Sequence, residues 1–157
     1  MTITCQPTHP RAVSGHLAMK VSVLLFFLAV CLTSCSSIHT HRDPRVDLTQ
    51  IKKFYVLHRL TDDHHMDEMI ANQLRQYGRE VSIGPMTMMP QDAEALVTYQ
   101  DDWAWDFKTY LIQLRIEIRR AYNNQPLAEG TYRQPSIITK PPAVVIEKIL
   151  KPLFAAP

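Results

Sequence analysis

The feature that most constrains this chain of 157 residues is an apolar run near its beginning, from Val21 to Leu32. A single positive charge, Lys20, precedes the run, and small residues follow it. The run is too short to span a bilayer comfortably, because a spanning helix needs about 20 apolar residues. A charged start, an apolar middle and a small-residue end are the three parts of a secretory signal peptide. We therefore predict that residues 19–34 are a signal peptide.

The segment closes with Leu32-Thr33-Ser34-Cys35. These four residues resemble the lipobox of bacterial lipoproteins, in which a small residue stands immediately before a cysteine. The resemblance implies that Cys35 carries a diacylglycerol and becomes the acylated first residue of the mature chain. Two or three acyl chains hold a protein on a membrane, whereas a single chain binds only marginally. An ordinary signal peptide with a chance cysteine and an uncleaved membrane anchor are the alternatives.

The residues on either side of this segment indicate where the protein starts and where it is delivered. In diderm bacteria an aspartate directly after the lipidated cysteine tends to retain a lipoprotein in the inner membrane, but Ser36 and Ser37 follow here. The resemblance therefore implies the outer membrane, with the domain facing the periplasm. Residues 1–18 are polar and contain two prolines. We interpret them as an upstream start-site artefact, with a long functional leader as the alternative.

Removal of the leader and signal peptide changes the charge balance and the thiol count. Arg11 and Lys20 precede Cys35, which leaves 15 of the 17 basic residues to balance the 15 acidic residues, all of which follow it. A mature chain without net charge lacks the electrostatic basis for nucleic-acid binding. Cys5 and Cys31 would also be removed. The mature domain would then have neither a free thiol nor a disulfide, which excludes thiol catalysis and cysteine zinc sites.

The remaining pattern predicts a single small α+β domain over residues 48–157, joined to Cys35 by a polar tether over residues 35–47. Seven elements follow in the order β-α-β-β-β-β-α, at 53–57, 63–77, 80–83, 96–99, 110–118, 127–133 and in a helix from Pro141. The clearest signal is the alternation of apolar and polar residues over 110–119, which is typical of a half-buried strand. We expect an antiparallel sheet with both helices packed on one face.

This order of elements, with its late hairpin, resembles the small domains of periplasmic accessory lipoproteins that serve envelope assembly or export. The resemblance covers residues 50–154 and implies a non-enzymatic module that binds an envelope protein or assembly. A free sheet edge would also allow a homodimer, because unpaired strand edges recruit further strands.

Two groups of residues are predicted to contact such a partner. Met86, Met88 and Met89 lie in one loop, and methionine forms adaptable apolar surfaces. Trp103 and Trp105 lie in residues 101–106, a segment rich in aspartate and tryptophan. The methionines could instead pack beneath their own loop. The tryptophans could instead pack inward as part of a strand that enters the sheet. They could also bind peptidoglycan or another envelope glycan, which is the second functional hypothesis.

A small envelope hydrolase is the third hypothesis, and it depends on two acidic clusters. The first is Asp62-Asp63-His64-His65, whose side chains are potential zinc ligands. Consecutive residues at a helix start point in different directions, so we interpret this cluster as a helix N-cap with a polar first turn.

The second cluster consists of Asp101, Asp102 and Asp106, which surround the two tryptophans. Paired carboxylates beside aromatic rings are typical of glycan-processing sites. In an extended strand, however, Asp102 and Asp106 would lie on the face opposite the tryptophans. We therefore predict no enzymatic activity, no metal and no cofactor.

Overall fold

The structure is a computed structural model that describes residues 36–134 and 140–155. The predicted leader, signal peptide and lipidation site at Cys35 lie outside these residues. The strands are β1 (Ser37–Arg42), β2 (Lys53–Leu57), β3 (Glu80–Gly84), β4 (Ala95–Asp106), β5 (Lys108–Arg120) and β6 (Pro126–Arg133). The helices are α1 (Met66–Gln76) and α2 (Pro142–Phe154). The predicted α+β class is confirmed.

All six strands belong to one sheet in the order β1-β6-β5-β4-β2-β3. The strands β1, β6, β5 and β4 lie side by side in that order, and each is antiparallel to its neighbour. Strand β2, in contrast, is parallel to both β3 and β4. The sheet is therefore mixed, and the prediction of an antiparallel sheet was wrong. The physical reason is α1, which leaves the end of β2 and returns the chain to its start, so that β3 must run in the same direction.

Strand β1 corrects a second prediction, because residues 37–42 were expected to belong to a polar tether. Ser37–Arg42 instead pairs with β6 over six residues, from the pair Ser37 and Arg133 to the pair Arg42 and Ala128. The strand lies at the sheet edge and is mostly exposed. Its ladder hydrogen bonds need no apolar side chains, so a search for apolar alternation overlooks it. The folded domain therefore begins before residue 48.

Helix α1 begins at Met66, three residues later than predicted, because His65 has the left-handed backbone conformation with φ 55°. Its buried stripe contains Met66, Ile70 and Leu74. The helix ends at Gln76, one residue before the predicted end, and Gly78 follows it as the predicted stop. The φ of Gly78 is 76°, a conformation that glycine adopts without steric cost. The N–H groups that follow the helix bond back to its last carbonyls, which closes the last turn.

The β4–β5 hairpin follows the predicted alternation only in its inner part. Leu114, Ile116 and Ile118 are buried, in agreement with the pattern. Between the pair Asp102–Gln113 and the next pair the register shifts, which makes Ile112 an extra residue on β5. A bulge of this kind moves every side chain beyond it to the other face. Leu111 is buried for this reason, whereas the pattern had assigned the core face to Tyr110 and Ile112.

Both helices pack against the same apolar face of the sheet and against each other. Helix α2 lies over β5, β6 and β1, and α1 lies beside β2 and β3. One continuous core results, to which α2 contributes Val145, Ile146, Ile149, Leu150 and Leu153. Neither helix of the described part of the chain has the length and apolar character needed to cross a bilayer.

A glycine in β6 sets the distance between the sheet and α2. A Cβ atom at Gly130 would collide with Cγ2 of Ile149. We expect Gly130→Ala to lower the free energy of unfolding by about 1–3 kcal/mol, because overpacking forces the backbone to shift. Urea unfolding followed by circular dichroism measures this change. Ile149→Ala removes the colliding methyl group, so the double variant should be less destabilised than the two single variants added together.

Candidate functional site at the β4–β5 hairpin

The β4–β5 hairpin extends beyond the rest of the sheet. Strand β2 pairs with β4 only as far as Val97, and β6 ends at Arg133, which pairs with Gln113 of β5. Within the described part of the chain, β5 is the sole strand that pairs with β4 from Trp103 onwards, as far as the last pair Asp106–Lys108. Residues 103–111 therefore form a two-stranded projection, which we call the hairpin tip.

Two large aromatic side chains are exposed at the hairpin tip. Trp105 is 75% exposed and Phe107 is 95% exposed, and their ring centroids lie 6.5 Å apart. Phe107 occupies the turn with φ 59°, a conformation that is unfavourable for a bulky side chain. Exposed apolar groups that lie side by side mark an interaction surface more often than scattered ones do. Phe107 was not among the contact residues predicted from the sequence, although it follows Trp103 and Trp105 at the same spacing of two residues.

Trp103 has a different environment from Trp105, although both were predicted to contact a partner. Its ring lies against that of His64, with 3.8 Å between the centroids, and it packs against the core. Its Nε1–H group donates a hydrogen bond of 2.7 Å to Oδ2 of Asp101. Oδ1 of Asp101 in turn accepts from Arg59 at 2.6 Å. Trp103 is therefore fixed at the base of the hairpin tip, and the two tryptophans do not form one open aromatic platform.

The first acidic cluster forms a polar network that fixes the start of α1. Oδ2 of Asp62 accepts hydrogen bonds from the hydroxyl of Tyr99 at 2.5 Å and from the N–H of Asp67 at 3.1 Å, and its Oδ1 accepts from the N–H of His64 at 3.1 Å. The N-cap position is occupied by His65, which makes no side-chain cap hydrogen bond, so neither predicted aspartate is the N-cap residue. Asp62 instead accepts from the first turn of α1 from outside the helix, and Asp63 is exposed. The carboxylate of Asp67 contacts Nδ1 of His58 at 2.7 Å.

The electrostatics of this network follow from burial and hydrogen bonding. Burial alone would raise the pKa of Asp62, but hydrogen bonds from Tyr99 and from backbone N–H groups outweigh it, so its pKa lies below the ordinary value of 3.8. Burial and the contact with Asp62 both raise the pKa of Tyr99 above its ordinary value of 10. The carboxylate of Asp62 is therefore ionised and occupied by structural hydrogen bonds at neutral pH.

The two acidic clusters do not meet in a metal site. No group of three or more His, Cys, Asp or Glu side chains is arranged to hold a metal ion within residues 36–134 and 140–155. Asp101 binds Arg59 and Trp103, whereas Asp102 and Asp106 are exposed and lie four residues apart on β4. In the cluster around the tryptophans, Asp101 thus has a structural role, whereas Asp102 and Asp106 face solvent.

The methionine loop lies elsewhere on the surface. Met86–Met88 forms a 3-10 turn directly after β3, the strand at the opposite sheet edge from β1. Met86 is 50% exposed and Met88 is 72% exposed, whereas Met89 is half-buried. The predicted contact residues therefore fall into two separate surfaces, the hairpin tip and the Met86–Met88 turn.

A shallow pocket of about 280 Å³ opens on the polar face of β5 and β6 beside β1. Its charged side chains neutralise one another: Arg115 binds Glu129 at 3.0 Å, and Arg119 binds Glu117 at 2.8 Å. Arg115, Glu117 and Arg119 are polar residues of the alternating pattern that the sequence predicted for β5. Because they are partly exposed, each pair contributes little to stability.

Comparisons with known proteins place the fold but not the activity. No protein-family model and no curated protein matches the sequence. A PelC dodecamer from Paraburkholderia phytofirmans matches with a TM-score of 0.58 and 18% identity over 78% of this chain and 100% of that chain. A single-substitution variant of that PelC matches with a TM-score of 0.59 and 19% identity, over 76% and 99% of the two chains.

A DUF4136 family protein from Bacteroides thetaiotaomicron matches more distantly, with a TM-score of 0.48 and 7% identity over 75% of this chain and 94% of that chain. The two PelC structures establish that this chain shares their fold. At such low identities the likeness carries no residue roles across.

The network around Asp62 makes a prediction about stability with a neighbouring residue as its control. Asp62→Ala should lower the free energy of unfolding by about 1–3 kcal/mol, because three hydrogen-bond donors lose their acceptor. Asp63→Ala should change it by less than about 0.5 kcal/mol, since this side chain is exposed. Chemical unfolding of both variants measures the difference.

The pH dependence of this difference has a definite sign. Because the pKa of Asp62 is lowered on folding, its contribution is present above the unfolded value of 3.8 and is lost as the pH falls through the folded value. The difference in the free energy of unfolding between Asp62→Ala and Asp63→Ala should therefore persist at neutral pH and become smaller only in acid. A difference that becomes smaller near neutral pH would contradict this assignment.

Proposed function

We propose that the chain is an outer-membrane lipoprotein whose α+β domain acts as a non-enzymatic accessory module and binds another envelope component close to the membrane. The observation that carries this proposal is the position of β1. The sheet begins at Ser37, only two residues after the predicted lipidation site at Cys35. An anchored domain with so short a connection works at the membrane surface and cannot reach far into the periplasm.

A side-chain contact also ties Ser36, the residue between Cys35 and β1, to the domain. The Oγ atom of Ser36 accepts a hydrogen bond of 2.9 Å from Nζ of Lys140, the residue that precedes the proline pair at the start of α2. The chain is therefore attached to the domain from the first residue after Cys35. This arrangement supports a module that is held in place by its lipid, in agreement with the lipobox resemblance.

The surface proposed for the partner is the Met86–Met88 turn together with the adjacent edge of β3. The two exposed methionines give a soft apolar contact. Among the described residues β3 has no strand beyond it, so its outward backbone groups can pair with a second chain, apart from the Val81 carbonyl, which accepts a hydrogen bond from Arg75. Because the matching PelC structures are dodecamers, further copies of this chain are the first partner to test.

The anchor is tested by comparing Cys35→Ala with Cys31→Ala, a matched variant in the apolar run. We expect the wild type and Cys31→Ala to remain with the outer membrane and to show acyl chains on Cys35 by intact mass. Cys35→Ala should lose the acyl chains and leave the outer-membrane fraction, because no lipid then holds the chain. An unmodified wild type would contradict the anchor.

The partner surface is tested by placing a photo-crosslinking amino acid at Met88 in cells. We expect a discrete adduct, either with a second copy of the chain or with one envelope protein, because an interface buries the same residue in every complex. Tyr122 is a matched control, since it is 78% exposed and lies in the turn between β5 and β6. Equal labelling from both positions would indicate random collision and contradict the assigned surface.

A further inference from the structure

The hairpin tip lies at the end of the sheet where the described chain begins. Ser37 pairs with Arg133, which lies at the level of Gln113 on β5. The same level on β4 is Asp102, after which β4 continues for four residues before the turn at Phe107. At about 3.4 Å per residue, the tip projects roughly 14 Å past Ser37. The strand geometry therefore points Phe107 in the direction from which the chain enters.

The connection to Cys35 is too short to lift the domain clear of a membrane on that side. Two residues span at most about 7 Å even when fully extended. The hydrogen bond between Ser36 and Lys140 shortens the connection further. Because neighbouring strands are twisted, the hairpin tip projects less far along the direction of β1 than its full length of roughly 14 Å. Half of that length already equals the maximum span of about 7 Å between Cys35 and Ser37. An acylated Cys35 therefore brings the hairpin tip to the depth of the lipid headgroups.

The side chains at the tip have the chemistry of a membrane interface. Tryptophan is enriched at the headgroup level, where its ring is partly apolar and its N–H group stays hydrated. Phe107 adds an apolar ring at the outermost position. Its backbone conformation would be relaxed with glycine, so an aromatic residue there indicates a role other than making the turn.

Charged side chains of both signs lie at this end of the sheet. Lys108 and Arg133 are exposed there, and Lys140 lies beside Ser36. Asp102 and Asp106 are exposed on β4, and Asp63 is exposed in the loop whose His64 contacts Trp103. The orientation therefore depends on the aromatic rings and the short connection rather than on an excess of positive charge.

We propose that the hairpin tip inserts Trp105 and Phe107 into the interfacial layer of the bilayer that holds the lipid on Cys35. This inference rests on the proposed anchor and adds a second membrane contact to it. A lipid alone leaves the domain free to rotate about a single point. A second contact at the hairpin tip fixes the angle between the sheet and the membrane, so that the Met86–Met88 turn meets its partner in a constant orientation.

Tryptophan fluorescence tests the insertion, because Trp103 and Trp105 are the two tryptophans of the chain. The full-length acylated protein is reconstituted in vesicles of phosphatidylethanolamine and phosphatidylglycerol, with plain or brominated acyl chains. We expect brominated chains to quench part of the wild-type emission. Trp105→Phe should lose the quenched part and keep the emission of Trp103, which the polar network holds away from the lipid.

Two further variants serve as controls. Tyr122→Trp in the Trp105→Phe background places a reporter at the opposite end of the sheet, where acrylamide should quench it and brominated lipid should not. Phe107→Gly should leave the fold intact, because glycine relaxes the turn, and should weaken the quenching of Trp105 by brominated chains. Circular dichroism verifies that each variant is folded.

The outcomes separate the insertion from the anchor. Acylated, vesicle-bound protein in which acrylamide reaches Trp105 and brominated chains do not would overturn the insertion and leave the anchor standing. The tip would then be available for a protein or glycan partner. An intact mass without acyl chains would instead overturn the anchor, and the argument from the short connection would fail with it.

Discussion

The pairing of β4 with β5 is the interaction on which the rest of this structure depends. Twelve residue pairs join the two strands, and they lie at the centre of the sheet. On one side β5 continues into the antiparallel strands β6 and β1, and on the other β4 joins the parallel strands β2 and β3. The inner part of the ladder presents the apolar face that the helices cover, whereas its outer part becomes the hairpin tip.

The polar network at the base of the hairpin connects these two parts. Arg59 and Asp101 link the loop after β2 to β4, and Tyr99 extends the link to Asp62 at the start of α1. Trp103 closes the network against His64. A rigid base of this kind fixes the direction of the tip, and a fixed direction is what a membrane contact beside the lipid would require. Asp62 and Asp101, which resembled catalytic groups in the sequence, therefore take part in structural hydrogen bonds.

Several elements could be predicted because each produces a local signal. The range 53–57 for β2 agrees residue for residue, and Gly78 ends α1 as its backbone freedom suggests. The parallel pairing of β2 with β3 and β4 was not predicted even though the order β-α-β was recognised, and a crossover helix between strands is itself the signal for parallel pairing. Strand β1 was overlooked because an edge strand is held by backbone hydrogen bonds and shows no apolar pattern. At the candidate site, the sequence pointed to both tryptophans alike and could not show that Trp105 is exposed, that Trp103 is half-buried or that Phe107 is exposed.

The sequence by itself determined the α+β class and the apolar faces of the helices and of the inner part of the central hairpin. These features depend on residues close together in the chain, where spacing and side-chain type are sufficient. The tertiary structure alone decided the mixed sheet, the bulge at Ile112 and the common end of the sheet shared by Ser37 and the hairpin tip. Those features depend on pairing between distant segments. A pairing register is a property of two strands together, and neither strand carries it alone.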